Sequence, residues 1–181
     1  MSSPITPPIN PVTMMRHNTA VADYFLKLEG IPGETKDRMH REEIEVQGWS
    51  WGATQNVLSH TVMGKQVREA QANVRDMRVS MYTCRATPRL VGACLTLEKI
   101  HTAVLSCRKS GAIAQDYLII TLKDVIITSV ELAGGSPNLL PIDVITLNFG
   151  QLDILYREQS SEGDMKGPLR FIYDVRTGEL V

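Results

Sequence analysis

From Tyr24 onward, apolar and polar positions alternate over short runs that Gly, Pro, Asn and Asp keep interrupting. Many short extended segments of this kind predict an all-β sandwich or barrel. Tyr24 to Glu29 reads as a first strand, closed by Gly30-Ile31-Pro32-Gly33. Arg41 to Trp51 reads as a second, with Ile44, Val46, Gly48 and Ser50 on one face and Glu43, Glu45, Gln47, Trp49 and Trp51 on the other. That second face turns from acidic to aromatic, as on a strand leaving solvent for a packed or intersubunit surface. Asn73 to Thr83 follows the same rule, with Met77, Val79 and Met81 on one side.

One helix interrupts the strands. Thr87 is placed to cap it, Pro88 suits its first position, and Leu90, Val91, Cys94, Leu95 and Leu97 form an apolar stripe expected to pack on the sheets. After it come strands at His101 to Lys109 and Asp116 to Leu132, the latter rich in Ile, Val and Thr. Lys123-Asp124 breaks the long run and predicts a bend where the strand crosses from one sheet to another. Between Ile142 and Tyr156 the apolar positions change parity: Ile145, Leu147 and Phe149 are odd, while Leu152, Ile154 and Tyr156 are even. An extra residue at Gly150, a bulge of the kind that lets a sheet close into a barrel, accounts for the shift. Leu169 to Val175 is the last strand, with a turn at Thr177-Gly178. The predicted fold is all-β with one short α-helix: two sheets forming a β-barrel and a flanking helix.

Two stretches fall outside this pattern. Residues 1–22 carry Pro4, Pro7, Pro8 and Pro11 and few core-forming residues, which predicts a flexible arm ahead of a barrel domain over 23–181. Asn56 to Ala72 is polar and weakly patterned, either a solvated loop or a contact arm.

Composition narrows the function. The 181 residues make about one domain, and 19 basic against 20 acidic side chains leave a net charge of -1, which points away from nucleic acid. No apolar run approaches the roughly 18 residues of a membrane-spanning helix. The first twenty residues lack the basic start and apolar centre of a secretory leader. Cys84, Cys94 and Cys107 are odd in number and have no metal-site spacing, so reduced thiols are expected. His17, His40, His60 and His101 form no ligand pair and read as surface or satisfied structural residues. No nucleophile elbow or phosphate loop is present, and Glu42-Glu43 point to opposite faces of a strand, so they do not converge on one atom. No catalytic, cofactor or metal site is expected. Trp49 and Trp51 read as packing or interface anchors rather than a stacking platform for a ligand.

The residues do carry a resemblance. Phe25-Leu-Lys-Leu-Glu-Gly30, Gly33-Glu-Thr-Lys-Asp37, Glu42-Glu-Ile44 and Gln47-Gly-Trp49-Ser-Trp51-Gly52 resemble the start of the Hcp proteins, tube-forming components of the bacterial type VI secretion system. Thr87-Pro88-Arg-Leu90, Arg108-Lys-Ser-Gly111, Tyr117-Leu-Ile-Ile-Thr-Leu-Lys-Asp-Val125 and Ile145-Thr-Leu-Asn-Phe149 continue the match in order. The resemblance implies a barrel with one flanking helix, homohexameric rings stacked into a hollow tube, and a contractile sheath that drives the tube outward with a spike at its tip. It implies small effector proteins in the lumen. The protein would be cytoplasmic before assembly and secreted without a signal peptide. It also implies that the segment after W-S-W-G reaches the adjacent ring, so Trp51, Asn56, Gly64, Lys65, Arg68, Glu69 and Gln71 are the expected inter-ring contact, with Trp49 and Gly150 structural. Three departures stand out. The family's glycine-rich run is missing from Asn56 to Ala72; Leu97 stands where its helix usually ends on glycine; and Phe171-Ile172 replaces a Gly-Trp pair. The rival readings are a monomeric β-barrel carrier and a secreted effector enzyme.

Overall fold

The computed structural model describes residues 22–62, 65–109, 115–135, 140–158 and 167–181, with the side chains of 56–71 excluded. Of the arm predicted over 1–22, residues 1–21 lie outside the described residues, as does Gly64, while Ala22 opens the first strand.

The elements are β1 (Ala22–Leu28), β2 (Ile44–Ser50), β3 (Ala53–Val62), β4 (Lys65–Val74), β5 (Met77–Tyr82), α1 (Thr87–Leu95), β6 (Lys99–Lys109), β7 (Gln115–Ala133), β8 (Ile142–Asn148), β9 (Gln151–Tyr156), β10 (Leu169–Asp174) and β11 (Glu179–Leu180). Strands β7, β6, β1, β2, β5 and β8 pair in that order, and β8 pairs back on β7, which closes a six-stranded barrel. Strands β9, β10 and β11 continue the sheet beyond β7 as a three-stranded wing. β3 and β4 form a separate two-stranded sheet.

The long strand β7 explains both barrel and wing. Residues 118–123 pair with β9 and residues 126–133 pair with β8, so β7 changes partner at Asp124. Asp124 has φ 55°, the left-handed conformation that an L-residue enters only at a cost. Directly across, the chain between β8 and β9 turns at Phe149–Gly150. The Gly150 N–H donates to the Lys123 carbonyl at 2.9 Å, and its own carbonyl accepts from the Val175 N–H at 2.9 Å. A Cβ at Gly150 would lie 3.3 Å from both the Asp124 Cβ and the Arg176 Nε, tighter than ordinary contact, so any side chain here would push on these two neighbours. Ile145, Leu147 and Phe149 are buried on one side of this corner and Leu152 on the other, the parity change seen in the sequence.

Inside the barrel, Leu26, Ile44, Met77, Val79, Met81, Leu105, Leu122, Val125, Ile127, Ile145 and Leu147 are all but inaccessible. Each such side chain contributes about 1.5–3 kcal/mol through burial. The helix adds Leu90 and Ala93 to this core and packs against β7.

The helix corrects two expectations. Its N-cap is Ala86, without a side-chain cap, while Thr87 is the first helical residue. The Thr87 hydroxyl instead donates to Asp143 Oδ2 at 2.5 Å, and Thr83 donates to Asp143 Oδ1 at 2.6 Å. These bonds satisfy a fully buried carboxylate on β8. Leu95 and Leu97, placed in the packing stripe, are 80% and 69% exposed. The stripe that packs is Thr87, Leu90 and Ala93, one residue in three along a short helix. At its end Leu97 takes φ 52°, and the Glu98 N–H reaches back to the Ala93 carbonyl at 3.0 Å. The chain makes the usual left-handed stop with a leucine where glycine is favoured. Since the exposed side chain packs on little, Leu97→Gly is expected to raise stability by about 1 kcal/mol, seen as a higher thermal midpoint.

Candidate assembly surface

The segment after W-S-W-G is a β-hairpin, not a solvated loop. β3 and β4 run ten residues each in continuous antiparallel register, from Ala53 opposite Val74 to Val62 opposite Lys65. Of the expected contact residues, Asn56 pairs with Gln71, Ser59 with Arg68 and Leu58 with Glu69. Polarity masked this ladder in the sequence, because its residues lack the apolar–polar alternation that marks a half-buried strand.

The root of the hairpin is tightly held. Arg75 donates its N–H to the Gly52 carbonyl at 3.1 Å, and its guanidinium covers Gly52 so closely that a Cβ there would lie 2.3 Å from Nη2. The next residue, Asp76, accepts from the Thr128 hydroxyl at 3.0 Å and the Asn148 amide at 2.8 Å, fixing the return strand to the barrel wall.

Trp49 and Trp51 lie on the barrel side of this root and pack on the core. The sequence pattern placed Trp49 on the face opposite Val46. A bulge at Gln47 changes that: Val46 pairs with Met81, Gly48 with Ser80 and Trp49 with Val79, so one residue is inserted and Trp49 joins the inward face. Its indole is directed at Cys107, whose buried thiol is pushed up to about 12 by desolvation, with the indole bond pulling the other way. A thiol so far from ionising is inert at neutral pH.

At the other end of β2, the loop from Gly30 to Glu43 is strapped over the outside of the barrel. Phe25 is its anchor. The His40 ring stacks on Phe25 at 4.2 Å and 7°, and the Arg108 guanidinium lies over the same ring, 4.7 Å from its centroid. Arg108 makes a bidentate pair with Asp37, 3.1 Å from Nη1 and 2.6 Å from Nη2. Asp37 also accepts the Met39 and His40 N–H groups at 2.9 and 3.1 Å. His40 completes the strap, with Nδ1 2.9 Å from Glu43 and Nε2 3.2 Å from Asp116 on β7. Gly33 admits no side chain, because a Cβ would stand 2.1 Å from the Glu43 carbonyl oxygen. Sequence reasoning assigned His40 no partner. The G-E-T-K-D block held the signal, but its partner Arg108 is 71 residues away.

A third cluster holds the wing. Asp124 binds Lys99 at 2.8 Å and Arg176 at 2.9 Å, and Arg176 also binds Asp174. The Arg176 guanidinium and two backbone N–H groups hold Asp174 down at about 2. Among the described residues, no group of three metal-ligating side chains converges, and no helix is long and apolar enough to cross a membrane.

This geometry is that of a family. The model of the family described as "Type VI secretion system effector, Hcp" matches residues 25–156. The chain belongs to the Hcp family, the tube proteins of type VI secretion. It is 36% identical over 156 residues to Protein hcp1 of Pseudomonas aeruginosa, covering 85% of this chain and 95% of that protein. It superimposes on a type VI secretion system effector from Yersinia pestis with TM-score 0.68 and 32% identity, covering 84% of this chain and all of that one. Hcp1 from Salmonella typhimurium gives TM-score 0.70 at 28% identity, covering 88% and 99%. The family is a structural one, and the architecture accords with it: packed core, clamped loops and a projecting hairpin.

The Arg108 guanidinium beside Asp37 holds its carboxyl well below the usual carboxylate range. A depressed folded-state pKa contributes stability that is full above the unfolded value of about 4 and lost as pH falls below it. Asp37→Ala is therefore expected to lower stability by about 2 kcal/mol at pH 7, leaving Arg108 without its bidentate partner. Chemical denaturation repeated at falling pH should show the gap between the two proteins closing below about pH 4.

Proposed function

We propose that this protein is the repeating subunit of the inner tube of a type VI secretion apparatus, working by self-association and carrying no catalytic centre. Six copies close a ring, and rings stack into a hollow tube that a sheath expels behind a spike, with small effectors in the lumen. The subunit is cytoplasmic before assembly and leaves the cell with the tube.

The observation that carries the axial part of this reading is the β3–β4 hairpin. It pairs with no barrel strand among the described residues and is anchored at Gly52–Arg75 and Asp76. A ten-residue ladder spans about 33 Å, long enough to reach well past the barrel it leaves. Trp51 roots that arm, Asn56, Lys65, Arg68, Glu69 and Gln71 belong to its two strands, and together with Gly64, which is outside the described residues, they make up the proposed inter-ring contact. The missing glycine run and the continuous ladder go together, since a hydrogen-bonded ribbon is stiffer than a glycine loop. Axial contact through a single ribbon also leaves stacked rings separable after firing.

Static light scattering of the purified chain is expected to give a particle near six times 20.1 kDa, with annular images by negative-stain electron microscopy. Replacing residues 54–73 by a short turn should leave the rings intact and abolish their stacking at high concentration. A monomer at high concentration would favour the carrier reading and sink this one.

A further inference from the structure

The wing carries an apolar face that the described residues leave partly exposed. On it, β7, β9 and β10 place Leu118, Tyr156 and Leu169 in one row, and Ile120, Ile154 and Phe171 in the next. A third row runs Leu122, Leu152, Tyr173 and on to Leu180 of β11. The inner members Ile120, Leu122 and Leu152 belong to the barrel core, whereas Tyr156, Leu169, Phe171 and Leu180 are 39%, 69%, 45% and 72% exposed. The face is thus an extension of the core-facing side of the sheet, peeled away where β7 trades β9 for β8. Phe171 and Tyr173 stack on it at 6.3 Å, so the surface is ordered before anything covers it.

We infer that this wing face is the surface by which one subunit grips the next within a ring, seating on the outer wall of the neighbour's barrel at Tyr82, Ile142 and Val144. The inference rests on the ring reading above. The occupant is another copy because a tube is built from copies of one chain. The four exposed side chains offer on the order of 500 Å² of apolar surface, a large part of the roughly 800 Å² per partner that a standard interface covers. A closed ring of more than two copies needs two different surfaces, one giving and one receiving. The receiving candidate is the one other place where described strands put large exposed apolar side chains directly opposite each other. Tyr82 of β5 pairs with Ile142 of β8, both 40% exposed, with Val144 on the same outward face two residues on. The ion pairs of Arg176 with Asp124 and Asp174 fix the angle at which the wing is presented. The part of the outer edge of β10 that β11 does not reach is covered by the same contact, removing a strand edge left unpaired among the described residues.

Two wing variants, Phe171→Asp and Leu169→Lys, and one wall variant, Ile142→Asp, test this in the full chain. Far-UV circular dichroism and the thermal midpoint identify folded variants. Each folded variant is expected to shift ring dissociation to at least about thirtyfold higher protein concentration by analytical ultracentrifugation, as for a central interface residue. Mixing a wing variant with the wall variant should yield heterodimers and nothing larger, since the intact wall of one accepts the intact wing of the other. Met39→Asp, at an exposed site off both surfaces, should assemble normally. If the wild type forms rings and both folded wing variants form them equally well, the wing assignment is overturned. If the mixture gives no dimer, the wall assignment is overturned. A monomeric wild type would instead overturn the ring reading itself.

Discussion

The architecture depends on one strand being too long for one neighbour. β7 runs 19 residues, and its two halves pair with different strands on the same side. Because β8 takes the C-terminal half, the sheet closes; because β9 takes the N-terminal half, the same sheet also opens into a wing. The exchange happens at Asp124, where a left-handed backbone is held by Lys99 and Arg176 and faced by the side-chain-free Gly150. Strain of about 1–2 kcal/mol at that residue is offset by ion pairs and by the two hydrogen bonds of Gly150. A barrel without this exchange would have no wing, and a sheet without it would keep two open edges.

The two loops that matter are secured in different ways. The strap over Phe25 is a small second core on the outside of the barrel, with an aromatic ring between an imidazole and a guanidinium, each engaged by carboxylates. His40 lies between Glu43 and Asp116, and Arg108 is gripped by Asp37, so these contacts fasten the loop to the barrel wall. The hairpin, by contrast, is held at its root and pairs with no barrel strand among the described residues. About 23 Å of β2 separates the two, so one end of the strand is locked and the other carries the projecting arm.

A structural family member of this kind needs surfaces that are ordered but incompletely covered. Most of the core is indifferent to assembly: Met77, Val79, Ile145 and Leu147 are sealed within one chain. Large apolar side chains nevertheless remain at the surface, among them Phe171 of the Phe171-Ile172 pair that replaces the family's Gly-Trp, while Ile172 is half-buried.

Much of the barrel was legible in the sequence. The alternation of Met77, Val79 and Met81, the break at Lys123-Asp124, the parity change at Gly150 and Pro88 at the helix start are local signals, and each marks a feature of the fold. The ordered blocks from Phe25 to Phe149 carried the family. What the sequence could not decide depends on partners far along the chain. An unmarked bulge at Gln47 turned Trp49 inward, the polar run after Trp51 became a ladder because its two halves match each other, and Thr87 served Asp143 instead of its own helix. The period of two fixes which side chains share a face only until the next inserted residue, and where insertions fall is set by the neighbouring strand. The sequence by itself determined the strands, the helix and the family; closure, the strap on Phe25 and the wing's partly exposed face were decided by tertiary pairing, because only contacts between distant segments choose which face ends up inside.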